Sequence, residues 1–202
     1  MEAIQLLDKV YQIGFGSFYS ELKACYLDSI DFPAPEIIPV DDYATGGLLR
    51  TEKIPNQASV LLSVGKPDFR REIVRSLGRG NFFFPNIISS RFQRIGDQVL
   101  GNGVYALGYG SISADAEVGD FTIIHGFSVI GHHVKIGRFV NIGAGAFIGG
   151  NCIIEDGVSI GPNATLLPGK RVGKNADIAA GSVVLRNVRE NGKVYGNPAK
   201  YY

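Results

Sequence analysis

Proton chemistry near neutral pH falls first to histidine, and this chain of 202 residues has three, His125, His132 and His133. Imidazole suits a general base because its ordinary pKa of roughly 6.5 leaves much of it neutral near pH 7. It also suits zinc, but zinc needs about three protein ligands converging on one point. Further forward, Gly14-Phe15-Gly16-Ser17 stands between a strand-like run, Lys9 to Ile13, and a helix-like stretch from Phe18 to Asp28. A second apolar strand, Glu36 to Val40, then ends in Asp41-Asp42. Strand, glycine turn, helix, strand and acidic pair is the order of a small nucleotide-binding α/β unit. Tyr19 replaces the third glycine of that fingerprint, so a glycine turn that only starts a helix explains the pattern equally well.

The elements that must position the histidines follow from one period. From Ile112 through Val184 every sixth residue is Ile, Val or Leu, thirteen in succession. Glycine follows the apolar position at 119, 131, 137, 143, 149, 161 and 173, and a small or β-branched residue sits four places on, as at Thr122, Val140 and Ala164. Six is neither a helical period nor a simple alternation. Each hexad therefore reads as a short strand and a corner, three hexads make one triangular coil, and the stack is a left-handed parallel β-helix. Residue n then lies directly below residue n+18 at the strand spacing of roughly 4.7–4.9 Å. That ruler puts Gly150 over His132, whereas the histidines, spaced 7 and 1 apart, do not stack, which speaks against a zinc site.

Ser59 to Val64 reads as another apolar strand closed by Gly65, and Pro67 to Leu77 as a helix with Phe69, Ile73, Val74 and Leu77 on one side. Phe82 to Ile88, broken by Pro85, is expected to be the last piece of the small sheet and the crossing into the coils, with a first irregular coil near residue 90. Glycine divides the chain in the same way: 8 of the 27 precede residue 100 and 19 follow it. The expected division is 1–88 and 89–202. A formal charge of +1 excludes a nucleic-acid footprint, which needs a basic excess. Met1 to Lys9 lacks a basic, apolar secretion signal and no apolar run approaches ~18 residues, so no membrane partner and a cytoplasmic location are expected. Cys25 and Cys152 fall in different halves and read as reduced and structural.

The chain resembles the bacterial hexapeptide-repeat acyltransferases that acetylate nucleotide-linked amino sugars, together with the related sialic-acid O-acetyltransferases. The resemblance rests on Ile130-Gly131-His132-His133-Val134-Lys135-Ile136-Gly137, Asn141 to Asn151, Leu167-Pro168-Gly169, Ala180-Gly181-Ser182-Val183-Val184 and Gly196-Asn197-Pro198-Ala199-Lys200. It implies a mixed fold, a small Rossmann-like α/β N-terminal domain followed by the left-handed β-helix, assembled as a homotrimer with sites between subunits. It also implies acetyl-CoA as co-substrate and a nucleotide-linked amino sugar as acceptor.

The same resemblance makes His132 the general base, which accepts the proton as the amine attacks the thioester. The N–H of Gly150 would hold the thioester carbonyl, and Asn141 would border the acetyl-CoA site. The coenzyme is expected along the coils towards the C-terminal end, past Lys170, Gly181 and Lys200, with Arg171 and Arg186 also near its phosphates. The nucleotide sugar is expected at Gly14, Gly16 and Ser17 for its phosphates or ribose and at Asp41 and Asp42 for its base or ribose hydroxyls, with Gly65 closing the crevice. One departure bears on catalysis: such enzymes carry an acidic, ring-orienting residue where this chain has His133. Either activity is lower, or Asp115, Glu117 or Asp120 supplies the carboxylate. The alternatives are sugar O-acetylation, metal-dependent chemistry and a catalytically degenerate β-helix protein.

Overall fold

The computed structural model describes residues 9–14, 17–28, 35–40, 51–78 and 80–202. The N-terminal unit consists of strand β1 (Lys9–Ile13), helix α1 (Ser17–Asp28), strand β2 (Glu36–Val40), strand β3 (Ser59–Leu62) and helix α2 (Pro67–Ser76). Its three strands pair in parallel in the order β2-β1-β3. Parallel strands buried on both faces read as continuous apolar runs, and Val10, Val60, Leu61 and Leu62 are almost fully buried. Proline at the start of α2 supplies a preset φ where no N–H is needed, and Asp68 in the first turn with Arg75 in the last complements the helix dipole.

Among the described residues, the repeat region forms three sheets of eight, six and five strands, all pairings parallel except a final antiparallel pair, Lys193–Tyr195 with Lys200–Tyr201. Together they wind as a left-handed parallel β-helix. The 18-residue ruler holds rung by rung. Ile124 pairs with Ile142, Ile142 with Ile160 and Ile160 with Ile178 on the first face. Ile130 pairs with Ile148 and Ile148 with Leu166 on the second, and Ile136 with Ile154 and Ile154 with Val172 on the third. These residues fill the interior as one continuous buried cluster. The small residues four places on sit inside too, where Thr122 and Ser128 donate their hydroxyl protons to the carbonyls of Gly137 and Gly143. Phe83 bridges to Ser59 and so extends the small sheet, whereas Ile87–Ile88 pairs with Tyr105–Ala106. The run from Phe82 to Ile88 therefore splits: its second half is already a rung of the first face, because Ile87 and Ile88 match residues 18 further on.

The small sheet docks on that first face. Val10, Leu22, Tyr26 and Leu61 pack with Ile87, Tyr105, Leu107 and Ile123. Tyr11, Ile13, Val60 and Leu62 pack with Phe121 and Phe139 at the coil corner. Arg70 of α2, 1% exposed, pins the two parts together. Its guanidinium donates to the carbonyls of Val64 and Gly65 at the end of β3 and to those of Phe121 and Val140 in the coils. Burial pushes its pKa down to about 10, the cost of holding a charge away from water with carbonyl dipoles as its hydrogen-bond partners. Beside it, the hydroxyl of Tyr105 accepts the N–H of Leu62, and burial pushes that phenol well above its ordinary pKa.

Candidate active site

The histidines of interest stand on the corner that joins strand Ser128–Ile130 of the second face to Lys135–Ile136 of the third. One residue per coil takes a left-handed conformation at this corner: Asp115, His133, Asn151 and Gly169 have φ of 58°, 57°, 60° and 72°. Backbone bonds stack the coils there, from His133 N–H to the Ala114 carbonyl at 3.0 Å, Asn151 N–H to that of His132 at 2.9 Å and Gly169 N–H to that of Gly150 at 2.9 Å. His132 and His133 are both exposed.

Gly150 lies against His132 as the ruler requires. A Cβ built on Gly150 would sit 2.7 Å from Nε2 of His132 and 2.8 Å from its Cε1, so the imidazole occupies the space that a side chain would need. The N–H of Gly150 donates to no acceptor among the described residues. An imidazole nitrogen and a backbone donor side by side are the two groups that acyl transfer to an amine or a hydroxyl requires, a base and an oxyanion partner.

On its other side, Nδ1 of His132 lies 3.1 Å from Nδ1 of His133, with the rings at 87°. Nε2 of His133 lies 3.5 Å from Oδ2 of Asp115. The two other candidate carboxylates are engaged elsewhere, Glu117 with Lys135 at 2.9 Å and Asp120 with Arg138 at 3.1 Å.

A second polar constellation lies on the first face. A crevice of about 480 Å³ opens between the carboxyl ends of β1 and β3 and the coils, lined by Gly14, Gly65, Lys66, His125, Asn141 and Ser159 among others. Gly14 has φ +99°, and a Cβ there would meet the Ser63 carbonyl oxygen at 3.0 Å, so glycine is needed for the chain to leave β1 towards the crevice. Burial pushes the pKa of His125 below its ordinary value, offset in part by Glu21 and by the Asn141 side chain.

The expected site residues therefore distribute unevenly. Gly150 and Lys170 share the corner of His132 and His133. Asn141 lies instead in the crevice with Gly14 and Gly65. Gly181 is on the corner between the first and second faces, where its N–H meets the Pro162 carbonyl, and Lys200 is in the terminal hairpin. Ser17 opens α1, while Gly16, Asp41 and Asp42 lie outside the described residues. Sequence reasoning did not include Ser159 and gave His125 no assigned role. The signal for Ser159 was available, since it stands 18 residues after Asn141 and pairs with it.

The sequence pattern of the bacterial transferase hexapeptide family (six repeats) matches residues 115–150 and 151–186. Those residues of the coils carry the repeat of that family. No curated protein matches the chain by sequence. Its fold is shared by solved structures over almost its whole length. A variant of perosamine N-acetyltransferase from Caulobacter crescentus, in complex with CoA and GDP-perosamine, is 20% identical, with 96% of each chain covered and a TM-score of 0.85. The acetyltransferase domain of PglB from Neisseria gonorrhoeae, in complex with acetyl coenzyme A, is 22% identical over 96% of this chain and 99% of that one, with a TM-score of 0.85. WeeI from Acinetobacter baumannii is 21% identical over 96% and 99%, with a TM-score of 0.87. The matched repeats hold His132, His133, Gly150 and Lys170, whereas β1 to β3 lie outside them. No helix among its described residues is long and apolar enough to cross a membrane.

Proposed function

We propose that the protein is an acetyl-CoA-dependent N-acetyltransferase acting on the amino group of a nucleotide-linked amino sugar. The observation that carries this reading is the placement of Nε2 of His132 against Gly150. The acceptor nitrogen attacks the thioester carbonyl, and the Gly150 N–H stabilises the oxyanion that forms. His132 takes the proton from the nitrogen and returns it to the departing CoA thiolate, leaving an amide and a free thiol. No covalent enzyme intermediate is needed. The substrate class is supported by structures of this two-part fold that hold CoA and GDP-perosamine or acetyl coenzyme A. A supply of acetyl-CoA puts the enzyme in the cytoplasm.

The division of labour runs between a Rossmann-like N-terminal part, expected over 1–88, and an acyl-transfer part, expected over 89–202, with Ile87–Ile88 at the seam as the rung that meets Tyr105–Ala106. The crevice at Gly14 and Gly65 receives the nucleotide sugar, with Gly16, Ser17, Asp41 and Asp42 as further contacts. The coenzyme runs along the coils past Lys170 and Lys200, with Gly181 on a neighbouring corner. In a triangular prism the corner of the second and third faces is the one opposite the first face. A sugar held in the crevice therefore lies across the solenoid from its own His132, and another copy must supply the base. The second face suits such packing. Its outward residues Ser111, Val129, Phe147, Thr165 and Val183 carry no charge, whereas Glu117, Lys135 and Arg171 stand out from the third. A homotrimer built on that face brings crevice and histidine together, and Asn141, although in the crevice, then borders the acetyl group of a neighbour.

A panel of nucleotide-linked amino sugars, incubated with acetyl-CoA and read by release of thiol, tests the reading. Turnover of one or more amino sugars and none of the hydroxyl analogues is expected. Turnover of hydroxyl analogues alone makes the enzyme an O-acetyltransferase, and no thiol release with any acceptor refutes the proposal.

A further inference from the structure

We propose that Asp115, acting through His133, is a positioning residue that holds His132 in the tautomer whose Nε2 is unprotonated; the inference rests on His132 serving as the base. The placement is dictated by the coil. Asp115 and His133 occupy the same left-handed corner position in successive turns, 18 residues apart, so their side chains leave the backbone in the same direction one strand spacing apart.

The hydrogen-bond roles then follow in one direction. An ionised carboxylate only accepts, so Nε2 of His133, 3.5 Å from Asp115, carries the proton. A neutral imidazole protonated at Nε2 has a bare Nδ1. That bare Nδ1 lies 3.1 Å from Nδ1 of His132, and two ring nitrogens so close need one donor between them. The donor is Nδ1–H of His132, which leaves Nε2 of His132 bare at the place where it faces Gly150. Reversing either assignment puts a proton on the nitrogen that must accept one. When Nε2 takes the acceptor proton, Nδ1–H of His132 still donates to His133 and Nε2–H of His133 to the carboxylate, so the new charge is met by a polarised chain and no proton moves onto Asp115.

The test exploits the backbone of this corner. Gly169 and Asn151 occupy the same position as Asp115 in later coils, so Asp115→Gly and Asp115→Asn are compatible with the local φ. Imidazole ¹⁵N spectra of the intact protein are expected to show His132 protonated at Nδ1 and His133 at Nε2, with His132 losing that preference in Asp115→Gly. In acetyl transfer, Asp115→Gly should lower kcat on the order of 10–100-fold with KM for acetyl-CoA unchanged, as removal of an outer hydrogen-bond partner does. Asp115→Asn should fall between, because its amide oxygen accepts but carries no charge. In a His133→Asp background, where a carboxylate meets His132 directly, Asp115→Gly should cost little further. Unchanged ¹⁵N tautomers in Asp115→Gly, or an equal loss of kcat in both backgrounds, overturns the proposal. If the wild-type protein acetylates no amino sugar, the functional reading fails, while the spectra still decide the tautomer chain.

Discussion

The histidine corner and the crevice on the first face are two polar constellations of one solenoid, built by different means. At the corner every contact lies within the repeat. His132 meets Gly150, and His133 meets Asp115, because a coil is 18 residues long, and no docking of distant parts is involved. The crevice exists only because a non-repeating unit is pressed against the coils, and Arg70, reaching from α2 to the carbonyl of Val140, is among the groups that hold it there. A site made by register inherits the rigidity of the stack. A site made by docking is as firm as the contact between its halves.

Perturbing the corner should therefore change chemistry and spare stability. His132→Ala carries the largest expected effect, a fall in kcat of about 10²–10⁴ with acetyl-CoA still bound. Steady-state rates beside calorimetric titration of the coenzyme check it, and near-wild-type turnover would remove His132 as the base. Gly150→Ala should follow, since its methyl would stand where the His132 ring is. Displacing the ring and the oxyanion donor together should cost about 10²–10³ in kcat, with thermal unfolding almost unmoved.

Perturbing the docking should do the reverse. Arg70→Met removes a donor from the carbonyls of Val64, Gly65 and Phe121, and from that of Val140, which keeps only the Ile123 N–H. A loss of about 3 kcal/mol in denaturant unfolding is expected, with a raised KM for the acceptor rather than for acetyl-CoA. An acceptor KM that stays put would mean that the crevice does not depend on this clamp. The smallest effect belongs to His125. Its folded pKa lies below the ordinary 6.5, so the unfolded chain takes up the proton first. Stability should fall as pH drops from about 6.5 towards the lower folded value and level off beneath it, where both states are protonated. His125→Asn should flatten that window in urea titrations taken across pH.

The same contrast explains what could be read from the sequence. The period of six gave the faces, the 18-residue stacking and the contact of His132 with Gly150, since all of these are arithmetic on one column. Asp115 stood among three candidate carboxylates, and the left-handed corner it shares with His133 singles it out. The strands and helices of the N-terminal unit were visible within a few residues, as β1, β2 and α2 show. What sequence could not supply was the docking. Arg70 reads as one more charge on an amphipathic helix, and nothing near it in the chain points to Phe121 or Val140, 51 and 70 residues away. His125 had no assigned role in the sequence for the same reason, because the unit that half-covers it has no repeat to fix its register.

One coil of the solenoid is a screw operation, and this gives the active corner a simple rule of length. Inserting a whole coil of 18 residues between Gly150 and Lys170 would carry Lys170 along the axis by one strand spacing, roughly 4.7–4.9 Å, without turning it. Inserting one hexad instead would rotate everything beyond it to the next face and take Lys170 to a different side of the prism. The distance from the imidazole of His132 to Lys170 is thus counted in whole turns, and evolution or design can lengthen it only in those steps.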